Sequence, residues 1–474
     1  MSLDRSFDDR ASLMVPPRRH VAVLLPLLGL LACSPAPTPR HLVAIVVDTR
    51  RADALGLYGN PRGTSPKLDS FARESVIFEH AWAQGTYTLA SYLSYMSSIH
   101  VRSHGWDFPF LYNPKAGVCG WDDMEMLAEV LARNGFRNEA FVANPVLEPS
   151  KGFARGFHDW NGIRLDGVHE DDTSLWLQFW LDDGRVVEEA EAALARWEGD
   201  RRQFLYLHLM DPHPPLDPSP AGREAVGAPA DWAPGGRLGS HWVRELRKRG
   251  TPEQKERVRD GYLASVWDAD DSVGRILRAV EESGHADDTV VVFFADHGEQ
   301  IWEHGDHGHA RGVWEELAHV PLLIRIPGRP PERVDRPVGL LDLAPTLLKA
   351  LGIEEFPASW QGRNLFEADG RVVVSQRLRQ TAVTVEGRIK GILGIWPGGI
   401  GWRYFDLEGD PGEQEALANV EGAGKLRKCY ERWAAGVPKV ARDRGEQPVG
   451  ICVMTSERHD RLHEDALRAL GYIQ

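Results

Sequence analysis

HLVAIVV (residues 41–47) is an almost continuous apolar, β-branched run that stops abruptly at Asp48, and TVVVFFA (289–295) repeats the pattern before Asp296-His297. Runs without polar alternation suit strands covered on both faces, as in a parallel sheet. FLYLHLM (204–210) ends likewise in Asp211-Pro212-His213, and residues 140–143 end at Asn144. Helical patterns fall between these runs, over 124–134 closed by Gly135 and over 262–283 closed by Gly284. Alternating strands and helices predict an α/β fold, a doubly wound, mostly parallel sheet flanked by helices. Ligands in such sheets bind at the carboxyl ends of the strands, where this chain delivers acids, histidines and an amide. Acids and imidazoles gathered at one edge need a cation to offset their repulsion, and that donor set suits a divalent metal.

Composition is that of an ordinary globular protein, with 42% hydrophobic and 26% charged residues. The 474-residue length predicts a large domain plus a smaller one. A net charge of −14 argues against a broad nucleic-acid surface. The strongly apolar stretch at 21–32 is too short to span a membrane and follows Arg18 and Arg19, which is a signal peptide's anatomy. It ends in Leu30-Leu31-Ala32-Cys33, which resembles the lipobox of bacterial lipoproteins. This predicts a lipidated Cys33 and an exported protein anchored to the cell envelope, with 34–40 as a proline-rich tether. Met14 offers a second start that would give the signal (1–33 as numbered) ordinary proportions. Cys119, Cys429 and Cys452 show no metal-ligand spacing, and an oxidising compartment permits one disulfide among them.

Several collinear segments resemble the sulfatase-like branch of the alkaline phosphatase superfamily. They are VVDTRRADALGLYGNPRGTSPKLDSFARESVIFEHAWAQ (46–84), FLYLHLMDPHPP (204–215), DADDSVGRIL (268–277) and FFADHGEQIWEHGDHGHARGVWEELAHVPLLIRIPG (293–328), followed by LLDLAPTLLKALG (340–352), YFDLEGDPGE (404–413) and LRALGY (467–472). The resemblance implies metal ligation by Asp48, Asp296 and His297 and a nucleophile near residues 84–92. Sulfatases carry Cys/Ser-x-Pro-x-Arg there, with the Cys or Ser converted to formylglycine. This chain has Thr88-Leu89-Ala90-Ser91-Tyr92. A Thr cannot become formylglycine, but it is the nucleophile in other branches of the superfamily, and a metal favours its alkoxide. Thr88 is therefore both nucleophile candidate and metal contact, with a plain helix N-cap as the alternative and Ser91 as a weaker substitute. Leu89, Tyr92, Leu93 and Met96 predict a helix beginning there, whose dipole and N–H groups would hold an anionic group.

The resemblance also places His213 and His309 toward the transferred group or the leaving oxygen. His304 and His307, in EHGDHGH (303–309), and Asp211 are weaker candidates for a second metal. Thr49 stands where many sulfatases have a second Asp, which weakens the case for calcium and leans toward manganese or zinc. Arg51 and Asp53 read as structural. A catalytic domain over 41–352 is expected, with a Pro- and Gly-rich insertion at 217–259 in which Trp232 and Trp242 could stack on substrate. Residues 353–474 are expected to form a small antiparallel subdomain, with strands at 372–375 and 381–393, and a helical tail.

The implied activity is metal-dependent hydrolysis of sulfate or phosphate esters on a small molecule or glycan. Two other readings follow from the same residues. Lipid anchor and Thr suit a transferase moving phospho-alcohol groups onto envelope glycans, and loss of the Pro and Arg around Thr88 suits a non-catalytic binding protein.

Overall fold

The computed structural model describes residues 38–106, 116–118, 124–147, 149, 152–162, 183–232, 240–367, 372–377, 380–385, 388–418, 420–439 and 451–453. The signal segment, Cys33 and most of the tether lie outside them. Among the described residues, no helix is long and apolar enough to cross a membrane.

The principal sheet has eight strands: β1 (His41–Val47), β2 (Val76–Phe78), β3 (Phe136–Val142), β4 (Asp159–Gly162), β5 (Arg202–Leu209), β6 (Thr289–Ala295), β7 (Leu322–Arg325) and β8 (Glu332–Val334). Their order across the sheet is β8-β2-β7-β6-β1-β5-β3-β4. The five neighbours from β6 to β4 are mutually parallel, and β7 runs antiparallel to both β6 and β2. The two runs read as buried strands, β1 and β6, are central and buried at every position.

Alternation along each strand assigns side chains to two cores. Leu42, Ala44 and Val46 of β1, Phe204 and Tyr206 of β5, and Val290, Val292 and Phe294 of β6 pack against helices α1 (Thr88–Ser97), α2 (Leu127–Arg133) and α5 (Leu343–Ala350). Val43, Ile45, Val47, Leu205, Leu207 and Phe293 face helices α3 (Asp183–Ala195) and α4 (Pro252–Glu282) on the other side. Two helical layers thus cover the doubly wound sheet, as the alternating pattern predicts.

Three boundaries differ from the sequence reading. The segment 217–259 is largely helical: Ser219 caps Pro220–Val226 by accepting from the Gly222 N–H, Ser240–Arg249 follows, and a Thr251–Gln254 capping box starts α4 at Pro252 rather than at 262. Trp232 belongs to the core, since a methyl group added at Gly261 would meet its ring at 2.2 Å, so it cannot stack on substrate. The expected single strand at 381–393 is a hairpin of β10 (Gln380–Val385) and β11 (Ile389–Trp396). With β9 (Val373–Arg377) and β12 (Gly399–Asp406), it makes a four-stranded antiparallel sheet. Helix α6 (Ala423–Gly436) packs on this sheet and buries Cys429 as a free thiol.

His41 opens β1 at the edge opposite the strand ends that carry the acids. Its Nδ1 accepts from the Gln203 N–H at 3.2 Å and its ring lies 4.9 Å from that of Trp197. Burial, helped by His285, Arg40 and Arg202, lowers its pKa from 6.5 to about 4. Between those values the unfolded chain binds a proton that the folded chain refuses, so stability falls as pH falls. Acidification from pH 7 to 5 should cost wild type about 1–2 kcal/mol more than His41→Gln, read by urea denaturation. Identical pH dependence in the two proteins would contradict this.

Candidate active site

Asp48 and Asp296 follow β1 and β6 in register, since Val47 is paired with Ala295. Each side chain continues the face that packs on α1, whose first residue is Thr88. The two carboxylates and His297 are fully buried. Asp48 Oδ2 accepts from the Thr88 hydroxyl at 3.3 Å and from the Asn144 amide, which also donates to Thr88 Oγ1 at 3.3 Å. Asp296 Oδ1 accepts from the backbone N–H groups of Thr49 (3.3 Å) and His297 (2.8 Å). Thr49 is left-handed (φ 52°), a strained state for a β-branched residue that turns its N–H toward Asp296.

The remaining oxygens, Asp48 Oδ1 and Asp296 Oδ2, have no hydrogen-bond partner among the described residues. His297 Nε2 lies 3.6 Å from the first and 3.5 Å from the second. The Nδ1 of that ring contacts the Gly298 carbonyl at 2.9 Å, and an N–H there leaves the lone pair on Nε2. Two carboxylate oxygens and an imidazole lone pair therefore converge beside the Thr88 hydroxyl, with no charged donor among the described residues between them. A divalent cation fits this donor set.

Electrostatics agree with a missing positive charge. Burial and the charge of Asp48 hold the Asp296 carboxyl well above its ordinary range. Burial also raises Asp48, but the close imidazoles of His208, 3.4 Å from its Oδ2, His213 and His297 outweigh it, and Asp48 stays ionised. Burial lowers His297 to about 3 and His309 to about 4, so both are neutral at pH 7.

Thr88 is not an N-cap. Tyr87 occupies that position, its side chain not capping the helix but donating to the Trp106 carbonyl, and Thr88 begins the helix with its Oγ1 3.4 Å from His297 Nε2. Ser91 is committed to the Asp296 carbonyl at 2.6 Å and is not free to attack. The ring of His309 lies 4.7 Å from that of His297 and 5.0 Å from that of His213. Its Nδ1 meets Glu299 Oε2 at 3.0 Å. Burial pushes Glu299 up to about 7.

The weaker candidates lie elsewhere. His304 stacks on Trp314 at 3.8 Å and forms, with Glu316 and Glu413, a separate group whose ligating atoms lie within 4.8 Å of one another, and His307 packs on Trp302. Arg51 pairs with Asp53 and Glu303. Asp211 joins no cluster of three ligating side chains among the described residues. Sequence reasoning passed over two site residues, Glu299 and His208. The signal for His208 was available, because it is the polar member of FLYLHLM on the face shared by Phe204 and Tyr206.

Residues 40–353 match a family model described as Sulfatase. The chain belongs to the sulfatase family. It is 25% identical over 454 residues to an arylsulfatase of Clostridium perfringens, covering 80% of this chain and 90% of that one. It is also 25% identical over 353 residues to an ulvan-active sulfatase of Formosa agariphila, covering 70% of this chain and 65% of that longer protein. The fold is shared with a phosphonate monoester hydrolase from Silicibacter pomeroyi (TM-score 0.64, 19% identity, 83% and 94% of the two chains).

Glu299 reaches the site through His309. His309→Ala should lower kcat on an ester with an unactivated alcohol leaving group about 10²–10⁴-fold, and less on an activated aryl ester, with Glu299→Gln losing less and the double variant no more than His309→Ala. Fully additive losses would show that Glu299 acts independently.

Proposed function

We propose that the chain is a metal-dependent hydrolase of sulfate or phosphate esters in which Thr88 is the nucleophile. The observation that carries this reading is the Thr88 hydroxyl at the first position of a buried helix, 3.3 Å from Asp48 and 3.4 Å from His297. A divalent cation held by Asp48, Asp296 and His297 would supply positive charge that favours the Thr88 alkoxide and offsets charge on the ester oxygens.

The chain's own groups divide the remaining work. Asn144 fixes Asp48 and Thr88 relative to one another. The first-turn N–H groups of α1, which Tyr87 does not cap with its side chain, would hold the non-bridging oxygens of the transferred group. Thr88 passes its hydroxyl proton to Asp48 Oδ2, to which it already donates, and Oγ1 attacks sulfur or phosphorus as the bond to the leaving oxygen breaks. That oxygen takes a proton from the Glu299–His309 pair, which keeps one near neutral pH because burial pushes Glu299 up to about 7, and the later attack by water returns both protons. His213 lies beside His309 and lines the same side of the site. Water then cleaves the Thr88 ester and releases the anion.

Thr favours phosphorus over sulfur. A formylglycine hydrate expels sulfate by collapsing to the aldehyde, and a threonine ester has no such route and depends on attack by water. The substrate class is a sulfated or phosphorylated small molecule or glycan, as the names of the relatives suggest for those proteins.

Assays with aryl sulfate, phosphate monoester, phosphodiester and phosphonate monoester substrates test the assignment. Thr88→Ala should lose at least about 10³-fold in kcat/KM, with Thr88→Ser retaining more. Unchanged turnover in Thr88→Ala would exclude Thr88 as nucleophile.

A further inference from the structure

His208 is a histidine inside a parallel strand, fully buried, with neighbouring strands on both sides. An imidazole there costs free energy unless both ring nitrogens are satisfied. Its Nδ1 is satisfied by the Tyr206 hydroxyl at 2.9 Å, and Tyr206 in turn meets Tyr95 at 2.7 Å. Its Nε2 makes no geometrically sound hydrogen bond among the described residues and points at Asp48 Oδ2 from 3.4 Å. That oxygen already accepts from Asn144 and Thr88. The ligating atoms of Asp48, His208 and Asp296 all lie within 4.8 Å of one another.

We propose that His208 is a direct ligand of the active-site metal, together with Asp48 and Asp296. This rests on the reading that Asp48, Asp296 and His297 hold a divalent cation. With the ring proton on Nδ1 and donated to Tyr206, the Nε2 lone pair is free for a metal, the usual arrangement for a ligating histidine; the other tautomer would instead direct Nε2–H at Asp48 Oδ2. The Tyr206–Tyr95 pair anchors that acceptor within the core beneath α1. The resulting set of two carboxylates and two imidazoles selects manganese or zinc over calcium, which prefers six to eight oxygens.

The test counts nitrogens rather than turnover. Chain labelled with 15N-histidine and loaded with Mn2+ should show two directly coordinated imidazole nitrogens by pulsed EPR, and His208→Gln should show one, with Mn2+ affinity weakened about 10-fold or more. Tyr206→Phe should keep two nitrogens with a smaller loss of affinity. A single coordinated imidazole in wild type, unchanged in His208→Gln, overturns the assignment and makes His208 a partner of Asp48 alone. In that case Thr88-dependent, chelator-sensitive turnover would still stand. Wild type that binds no Mn2+, Zn2+ or Ca2+ would overturn both.

Discussion

Two buried carboxylates facing one another without a charged donor between them are the constraint around which the rest of the site is built. Unit charges about 4–5 Å apart repel by about 3–4 kcal/mol at an effective dielectric near 20, and burial adds desolvation of each ion. The backbone N–H groups of Thr49 and His297 and the side chains of Thr88 and Asn144 satisfy the outer oxygens, but none reaches Asp48 Oδ1 or Asp296 Oδ2. The nearby imidazoles His297 and His309 are kept neutral by burial and cannot serve as counter-ions. A bound divalent cation would resolve this deficit and also place positive charge beside the Thr88 hydroxyl.

The scaffold makes this arrangement reproducible. β1 and β6 are neighbours in register, so the residues that follow them emerge side by side. Alternation sends both carboxylates, and His208 from β5, toward the layer that contains α1. The C-terminal sheet then braces the loop before Thr88: the Gln376 N–H donates to the Gln84 carbonyl at 2.8 Å and Ser375 to that of Ala83 at 2.6 Å. The small subdomain therefore holds residues 83–85, just before Thr88, in place.

Much of this was legible in the sequence because strand burial and chain order are local signals. Apolar runs ending at Asp48 and Asp296 gave the central strands and two ligand candidates, and the spacing after Thr88 gave α1. The hairpin at 380–396 was missed because the turn residues between its strands do not interrupt a β-branched pattern strongly enough. Trp232, open in the sequence between stacking on substrate and packing, proves to pack, against Gly261 on a helix whose start is set by a capping box rather than by apolar periodicity. His208 and Glu299 escaped because their significance is tertiary. One is hidden within an apolar strand and the other gains meaning only from the position of His309.

Thermal unfolding of the wild-type chain and of Asp296→Asn, each with and without chelator, tests the carboxylate pair as a cation site most directly. Chelation should lower the wild-type Tm by several degrees, with Mn2+ or Zn2+ restoring it. Asp296→Asn should be insensitive to chelator and melt at or above metal-free wild type, because the repulsion is gone. A wild-type Tm unmoved by chelator and by added metal, in a protein shown to be metal-free, would contradict the cation site.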